Sequence, residues 1–128
     1  MSINLFSQEK SGSLCPDSLC TDYRSQFHLA SHILIPVSIS YLINSEKKWK
    51  STALTYLYTN LVDFDHIISS PIYNSNRCSI NFHPLHSDWA ILAYSIIALP
   101  NRTKDIGTGL LIHMGLDYID CEMMKQPK

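Results

Sequence analysis

The stretch SQFHLASHILIPVSISYLINS, residues 25–45, decides the fold because it contains no Asp, Glu, Lys or Arg. As a helix, about twenty residues are long enough to cross a hydrocarbon core of roughly 30 Å. Pro36 lies in the middle of this stretch, and a proline there is tolerated more readily within a membrane bundle than in water. The run EKKWK, residues 46–50, then places an aromatic side chain beside cations, as at a membrane interface. These features predict a first helix that lies in a membrane.

Three further helical segments follow along the chain. A second uncharged stretch covers residues 51–62, and the helix is predicted to continue to residue 68. Residues 69–81 are rich in turn-forming residues and are predicted to be a loop. The third helix is predicted to carry Pro84 in its first turn and to end before Pro100, and the fourth covers residues 106–123. Short connections make neighbouring helices antiparallel. We therefore expect an all-α, four-helix antiparallel bundle embedded in a membrane, although helices three and four are shorter than a standard span.

Composition and charge set the domain organisation. The 128 residues suffice for one domain, and the 16% of charged residues is below the roughly 25% typical of soluble domains. The net charge of −1 gives no indication of nucleic-acid binding. Residues 1–24 lack apolar periodicity and a secretory signal, so we expect a flexible tail, a membrane domain over residues 25–123 and a polar tail over residues 124–128. Basic residues divide evenly between the two ends of the bundle and give no orientation.

The four cysteines, Cys15, Cys20, Cys78 and Cys121, do not have the spacing of a metal-binding signature. Reduced thiols in a cytoplasmic setting are the simpler interpretation. A disulfide between Cys78 and Cys121 is the alternative.

All six histidines lie close in sequence to another potential metal ligand. Offsets of three or four residues place two side chains on one helix face, about one turn apart, where they can chelate one ion. Taken alone, each cluster could instead be a hydrogen-bonded pair in the core, a helix cap or a turn. The clusters are His28 with His32, Asp63 with Asp65 and His66, His83 with His86, and His113 with Asp117 and Asp120.

The order of the helices brings these clusters together. In an up-down-up-down bundle, the start of helices one and three and the end of helices two and four share one end. Imidazole and carboxylate ligands suit Zn²⁺, with Fe or Mn²⁺ as alternatives. We expect one or more ions, and because the candidate ligands outnumber those of a single tetrahedral ion, the site could hold two or more. Asp65 or Asp120 could orient or deprotonate a water molecule, or orient the imidazoles. The predicted metal ligands are His28, His32, Asp63, His66, His83, His86, His113 and Asp117.

Two features near the clusters suit an anionic substrate. The N-terminus of the predicted third helix points at them, which favours a phosphate group. Arg77 lies in the adjoining loop and could bind a phosphate oxygen, or it could be a structural arginine that ties down the loop.

Four segments together resemble an uncharacterised bacterial membrane family, number 6122 of the domain-of-unknown-function series. They are FHLASH (27–32), LVDFDH (61–66), NRCSINFHPLH (76–86) and GLLIHMGLDYIDC (109–121). The chain is more distantly similar to the YdjM-like metal-dependent hydrolases of the bacterial inner membrane. Through them it is similar to the zinc phospholipase C and P1 nuclease class, whose His-x-x-x-Asp ligand pair His113 and Asp117 match.

This resemblance implies a multi-pass protein of the bacterial inner (cytoplasmic) membrane. It also implies a metal-dependent hydrolase that acts on a phosphate ester, such as a lipid headgroup, through metal-activated water. The chain is far shorter than the secreted enzymes of that class and lacks their N-terminal ligand residue.

Two alternatives stay open. A non-catalytic structural or sensor membrane protein would bind metal with a complete set of protein ligands. A redox protein would hold haem between two histidines or a di-iron centre on Asp-x-x-His pairs.

Overall fold

The protein is all-α, as the sequence predicts. A computed structural model describes residues 17–68 and 77–125, with side chains from residue 23 onward, and these ranges contain four α-helices and no strand. The α-helices are α1 (Asp17–Ile43), α2 (Trp49–Tyr58), α3 (Asp88–Ile97) and α4 (Lys104–Lys125), and two 3₁₀ helices cover Thr59–Ile68 and Pro84–His86. Membrane embedding remains a prediction.

The first half of the chain departs from the predicted boundaries in two places. Helix α1 begins at Asp17 rather than at residue 25, while residues 1–16 of the predicted tail lie outside the described residues. The second helix does not stay α-helical to residue 68, because after Tyr58 it tightens into a 3₁₀ helix. At this point the Thr59 hydroxyl donates to the Tyr56 carbonyl oxygen at 2.6 Å, a side-chain bond of the kind that competes with the α pattern.

The third helix begins later than expected. Pro84 opens a separate 3₁₀ helix of three residues, and α3 starts at Asp88. Ser87 has extended backbone angles, and its hydroxyl accepts a hydrogen bond from the Ala90 amide, so it is the N-cap of α3. The predicted loop over residues 69–81 is described only from residue 77.

Glycine allows α4 to lie close to its neighbours. A Cβ atom on Gly107 would fall 2.3 Å from the backbone nitrogen of Ala98, and one on Gly109 would fall 2.9 Å from the side chain of Thr59. Close approach of this kind is typical of small residues at helix interfaces in membranes.

A disulfide joins Cys78, in the loop before the second 3₁₀ helix, to Cys121 on α4. Their Cα atoms are 5.0 Å apart, within the range that a disulfide needs. The expectation of reduced thiols is therefore wrong for this pair. The two cysteines are 43 positions apart in sequence, and only the packing of the folded chain brings them together.

The buried side chains of the described residues are mostly polar, whereas many large hydrophobic side chains are exposed. Among the described side chains, ten buried residues are polar or charged and seven are hydrophobic, whereas 25 large hydrophobic side chains are exposed. Among the described helices, α1 is long and apolar enough over Tyr23–Ile43 to cross a membrane. The core helix of a soluble protein can have the same length and composition. Several spans are therefore not established.

Candidate metal centre

All eight predicted ligands lie at one end of the bundle, where they form three groups. The first group contains Asp63, His86, His113 and Asp117, the second contains His28, His32 and Asp117, and the third contains Asp65, His66 and His83. Within each group the potential ligand atoms lie within 4.8 Å of one another.

The first group offers two imidazole nitrogens and two carboxylate oxygens. His86 Nε2 lies 3.3 Å from Asp63 Oδ1 and 3.0 Å from Asp117 Oδ2. His113 Nε2 lies 3.1 Å and 3.5 Å from the same two oxygens. A tetrahedral zinc ion with ligands at about 2.0–2.1 Å separates them by about 3.3–3.4 Å, so these spacings suit one ion.

Hydrogen bonds on the far side of each ring orient these two imidazoles. His86 Nδ1 lies 3.2 Å from Asp65 Oδ2, and that oxygen also accepts from the Leu85 amide at 2.9 Å. His113 Nδ1 lies 3.0 Å from Asn60 Oδ1 and also 3.0 Å from His32 Nδ1. When Nδ1 carries the proton and donates it in this way, the Nε2 lone pair is left for a metal ion.

The second group shares Asp117 with the first. His28 Nε2 and His32 Nε2 each lie 3.3 Å from Asp117 Oδ1, while Asp117 Oδ2 faces His86. One carboxylate therefore presents a different oxygen to each group, the arrangement of a carboxylate that bridges two metal ions. The second group supplies three protein ligands, so a tetrahedral ion there would keep one open position.

Several atoms of these groups are buried without a hydrogen bond. Among the described residues, His32 Nε2, His86 Nε2 and Asp117 Oδ2 have less than 1 Å² of exposed surface and no hydrogen-bond partner. A buried polar atom left in this state costs about 1–3 kcal/mol. Although His86 Nε2 lies 3.0 Å from Asp117 Oδ2, the angles are not those of a hydrogen bond. A cation between these atoms would remove the cost, so the residues fit a metal ion.

The third group is already engaged in contacts with protein atoms. His66 Nδ1 lies 3.1 Å from Asp65 Oδ1, and His66 Nε2 lies 3.2 Å from the Ser79 hydroxyl. The rings of His66 and His83 stack with centroids 3.8 Å apart. Asp65, predicted to act on a water molecule, is buried and holds His86 in place. The third group is therefore less suited to bind a metal ion than the first and second groups.

The carboxylates control the protonation of the nearest histidine. Burial opposes a charge on His86, but Asp117 and Asp63 outweigh it and raise the pKa of His86 to about 10. Burial also opposes the charge on Asp63, yet the nearby imidazoles of His113 and His86 hold the pKa of Asp63 well below its usual range. In the metal-free protein, protons therefore occupy positions that a cation would take.

A pocket of about 650 Å³ opens over the second and third groups. His28, His32, Asp63 and Asp117 line it, whereas His86 and His113 are buried behind them. Its wall also contains two arginines, Arg24 and Arg77, the carboxylate of Asp120, and the apolar residues Leu29, Ile33, Ile67 and Met124.

The position of Arg77 is compatible with both predicted roles, binding a phosphate oxygen and tying down the loop. It lines the pocket, and its guanidinium carbon lies 4.4 Å from the centre of the Phe82 ring. The predicted start of the third helix is wrong, however, because α3 begins at the acidic Asp88 and the residues before it form only a three-residue 3₁₀ helix. Its N-terminus therefore gives no argument for a phosphate group.

Sequence reasoning missed two residues of the site. Arg24, assigned to the tail, lies on α1 with its Nε 3.6 Å from Asp120 Oδ1 in the pocket wall. Its offset of four from His28 was a signal that could have found it, because both share one helix face. Asn60, which bonds to His113 and to the His32 carbonyl oxygen, gave no comparable signal.

Comparison with known proteins places the chain in a family. The family model of DUF6122, a family of unknown function, matches residues 23–124, and the chain belongs to this family. No curated protein and no solved structure matches the chain. The resemblance to family 6122 is thereby confirmed, while similarity to YdjM-like hydrolases or to the P1 nuclease class stays a prediction.

Proposed function

We propose that this member of the DUF6122 family is a membrane-associated, metal-dependent hydrolase of phosphate esters. The observation that carries the proposal is Asp117, whose two oxygens face two separate groups of imidazoles. Two metal ions that share a carboxylate are typical of enzymes that cleave phosphate esters.

The donor atoms suit zinc. Nitrogen and oxygen donors without thiolate are also compatible with Fe or Mn, but the spacings near 3.3 Å in the first group match a small tetrahedral ion. A bound ion of this kind polarises a phosphoryl oxygen and lowers the pKa of water to about 7.

The pocket supplies the remaining parts of such a site. Arg24 and Arg77 give its wall positive charge, which would bind the non-bridging oxygens of a phosphate ester. Asp120, next to Arg24, is the carboxylate of the wall placed to accept or return a proton. Asp65 acts through His86 as a positioning residue. Because apolar side chains complete the wall, an ester with an apolar part, such as a lipid headgroup with its chains, fits best.

The distribution of polar residues supports the membrane part of the proposal. Among the residues whose side chains are described, buried polar ones outnumber buried hydrophobic ones, and 25 large hydrophobic side chains are exposed. Large hydrophobic side chains that are exposed in this number would be solvated by the hydrocarbon of a lipid bilayer. The buried histidines and aspartates would then face the bundle interior, as ionisable groups in membrane proteins do. We infer a multi-pass protein of the bacterial inner membrane, in which α1 is the first span.

The experiment that tests this function measures hydrolysis. Purified full-length protein in detergent, loaded with Zn²⁺, is assayed with bis(p-nitrophenyl) phosphate and with a phospholipid of defined headgroup. We expect turnover that chelation abolishes and that the Asp117→Ala variant lacks. The Asp105→Asn variant should retain this turnover, because Asp105, in the first turn of α4, pairs with Lys48 at the end away from the metal groups. Bound zinc without hydrolysis of any ester would contradict the proposal.

A specific observation favours a second candidate, a structural or sensor protein without catalysis. The first group offers four protein ligands, which is the complete set of a structural zinc site. This candidate predicts that zinc raises the melting temperature strongly and that no ester is cleaved. The hydrolase requires the second group, so the His28→Ala variant should lose hydrolysis while the first group still binds zinc.

A further inference from the structure

We infer that the metal centre and its pocket open on the extracytoplasmic side of the membrane, and that the two charged turns face the cytoplasm. The inference rests on the membrane embedding proposed above. It fixes the side from which a phosphate ester must reach the site.

The bundle has two ends of different chemistry. The α1–α2 turn and the α3–α4 turn lie together at the end away from the metal centre. The contact between them is direct, since Lys48 Nζ lies 3.6 Å from Asp105 Oδ2, which also accepts from the Thr52 hydroxyl at 3.4 Å. The charged residues of this end are Glu46, Lys47, Lys48, Lys50, Arg102, Lys104 and Asp105.

The disulfide belongs to the other end. Cys121 follows Asp120 of the pocket wall and lies one turn beyond Asp117 on α4. Cys78 stands between Arg77 and Ser79, both of which line the pocket. Disulfides persist in oxidising compartments and are rare in the cytoplasm. The end that carries the metal centre therefore belongs on the oxidising side.

Basic residues do not decide between the two orientations. Among the described residues, the two turns carry five basic side chains and the metal-centre end carries three, Arg24, Arg77 and Lys125. Arg24 lies beside Asp120, and Lys125 Nζ lies 2.7 Å from Glu122 Oε1. Lys10 and Lys128, which flank the two helix ends at the metal-centre end in sequence, bring the total to five at each end, so the positive-inside rule gives no preference. The orientation therefore rests on the disulfide.

The consequence concerns the substrate. Because the pocket opens beside the disulfide, a phosphate ester would enter from the extracytoplasmic water or from headgroups of the outer leaflet. Phosphate esters confined to the cytoplasm would not reach His28 and Asp117. Zinc would likewise be acquired outside the cytoplasm.

The experiment maps the two ends with a membrane-impermeant maleimide in bacterial cells. The full chain carries Cys15→Ser and Cys20→Ser, so that the disulfide-bonded Cys78 and Cys121 are the native cysteines that remain. One reporter at a time is then added: Ser45→Cys and Asn101→Cys in the two turns, and Lys125→Cys at the end of α4. All three positions are exposed, and none belongs to the metal groups.

We expect Lys125→Cys to be labelled equally in intact and permeabilised cells. The two turn reporters should be labelled only after permeabilisation, and Cys78 and Cys121 should become reactive only after reduction. Labelling of the turn reporters in intact cells, with loss of labelling at Lys125→Cys, would overturn the inference. Extraction of the protein from membranes by alkaline carbonate would instead refute the membrane embedding on which it rests, so the two failures are distinguishable.

Discussion

The Asp65→Asn substitution should weaken zinc binding although Asp65 belongs to neither of the first two ligand groups. Its Oδ2 atom lies 3.2 Å from His86 Nδ1 and accepts from the Leu85 amide at 2.9 Å, so it fixes both the tautomer and the angle of the His86 ring. Loss of such a partner typically weakens metal affinity about 10- to 100-fold, which is about 1.4–2.8 kcal/mol. Asparagine keeps the shape of the side chain, but it lacks the charge and has one acceptor oxygen where Asp65 has two, so the fold should persist while the contact with His86 weakens.

The assay is a competition titration of the purified protein against a chromophoric zinc chelator. The Asp105→Asn variant is the matched control, because it removes a carboxylate at the opposite end of the bundle. The account predicts weaker binding for Asp65→Asn alone. Equal affinity in both variants and in the wild type would refute the argument that Asp65 holds His86 for a metal ion.

Three further perturbations test other parts of the account. Replacing Cys78 and Cys121 with serine opens a loop of 43 residues and should lower the free energy of unfolding by about 4 kcal/mol, measured by denaturant titration; an unchanged midpoint would contradict the disulfide. Gly107→Ala should cost about 1–3 kcal/mol because its Cβ would meet the backbone of α3, whereas Gly115→Ala, with open space around it, should be neutral or stabilising in the same thermal melts. The shift in melting temperature that zinc produces should grow as pH rises from about 6.5 to about 8.5. The raised pKa of His86, about 10, means that its charged pairing stabilises the metal-free fold fully below about 6.5, and that this contribution is lost as pH rises through about 10. A zinc-dependent shift that is constant over this range would exclude competition between protons and metal.

Much of the site could be predicted from the sequence because its ligands recur at helical offsets. His28 with His32 and His113 with Asp117 are each four residues apart, and the order of four helices is enough to bring them to one end. The all-α fold followed from the long uncharged stretches and from the prolines and turn residues between them. These features depend on local spacing and on the alternation of helix direction.

The rest depends on contacts between residues distant in sequence. The spacing of Asp117 in the sequence does not show that its two oxygens face different groups. This arrangement arises because His28 on α1 and His86 on the second 3₁₀ helix approach different oxygens of one carboxylate on α4. The pairing of Cys78 with Cys121 likewise follows only from the packing of the loop on α4. The 3₁₀ segment after Tyr58 reflects local hydrogen bonds of Thr59 that periodicity does not register.

Anomalous diffraction at the zinc edge, from crystals of the zinc-loaded protein, would locate the metal ions. We expect one peak among Asp63, His86, His113 and Asp117 and a second among His28, His32 and Asp117, the second with a coordination position open to the pocket. The absence of any peak at this end of the bundle would contradict this expectation.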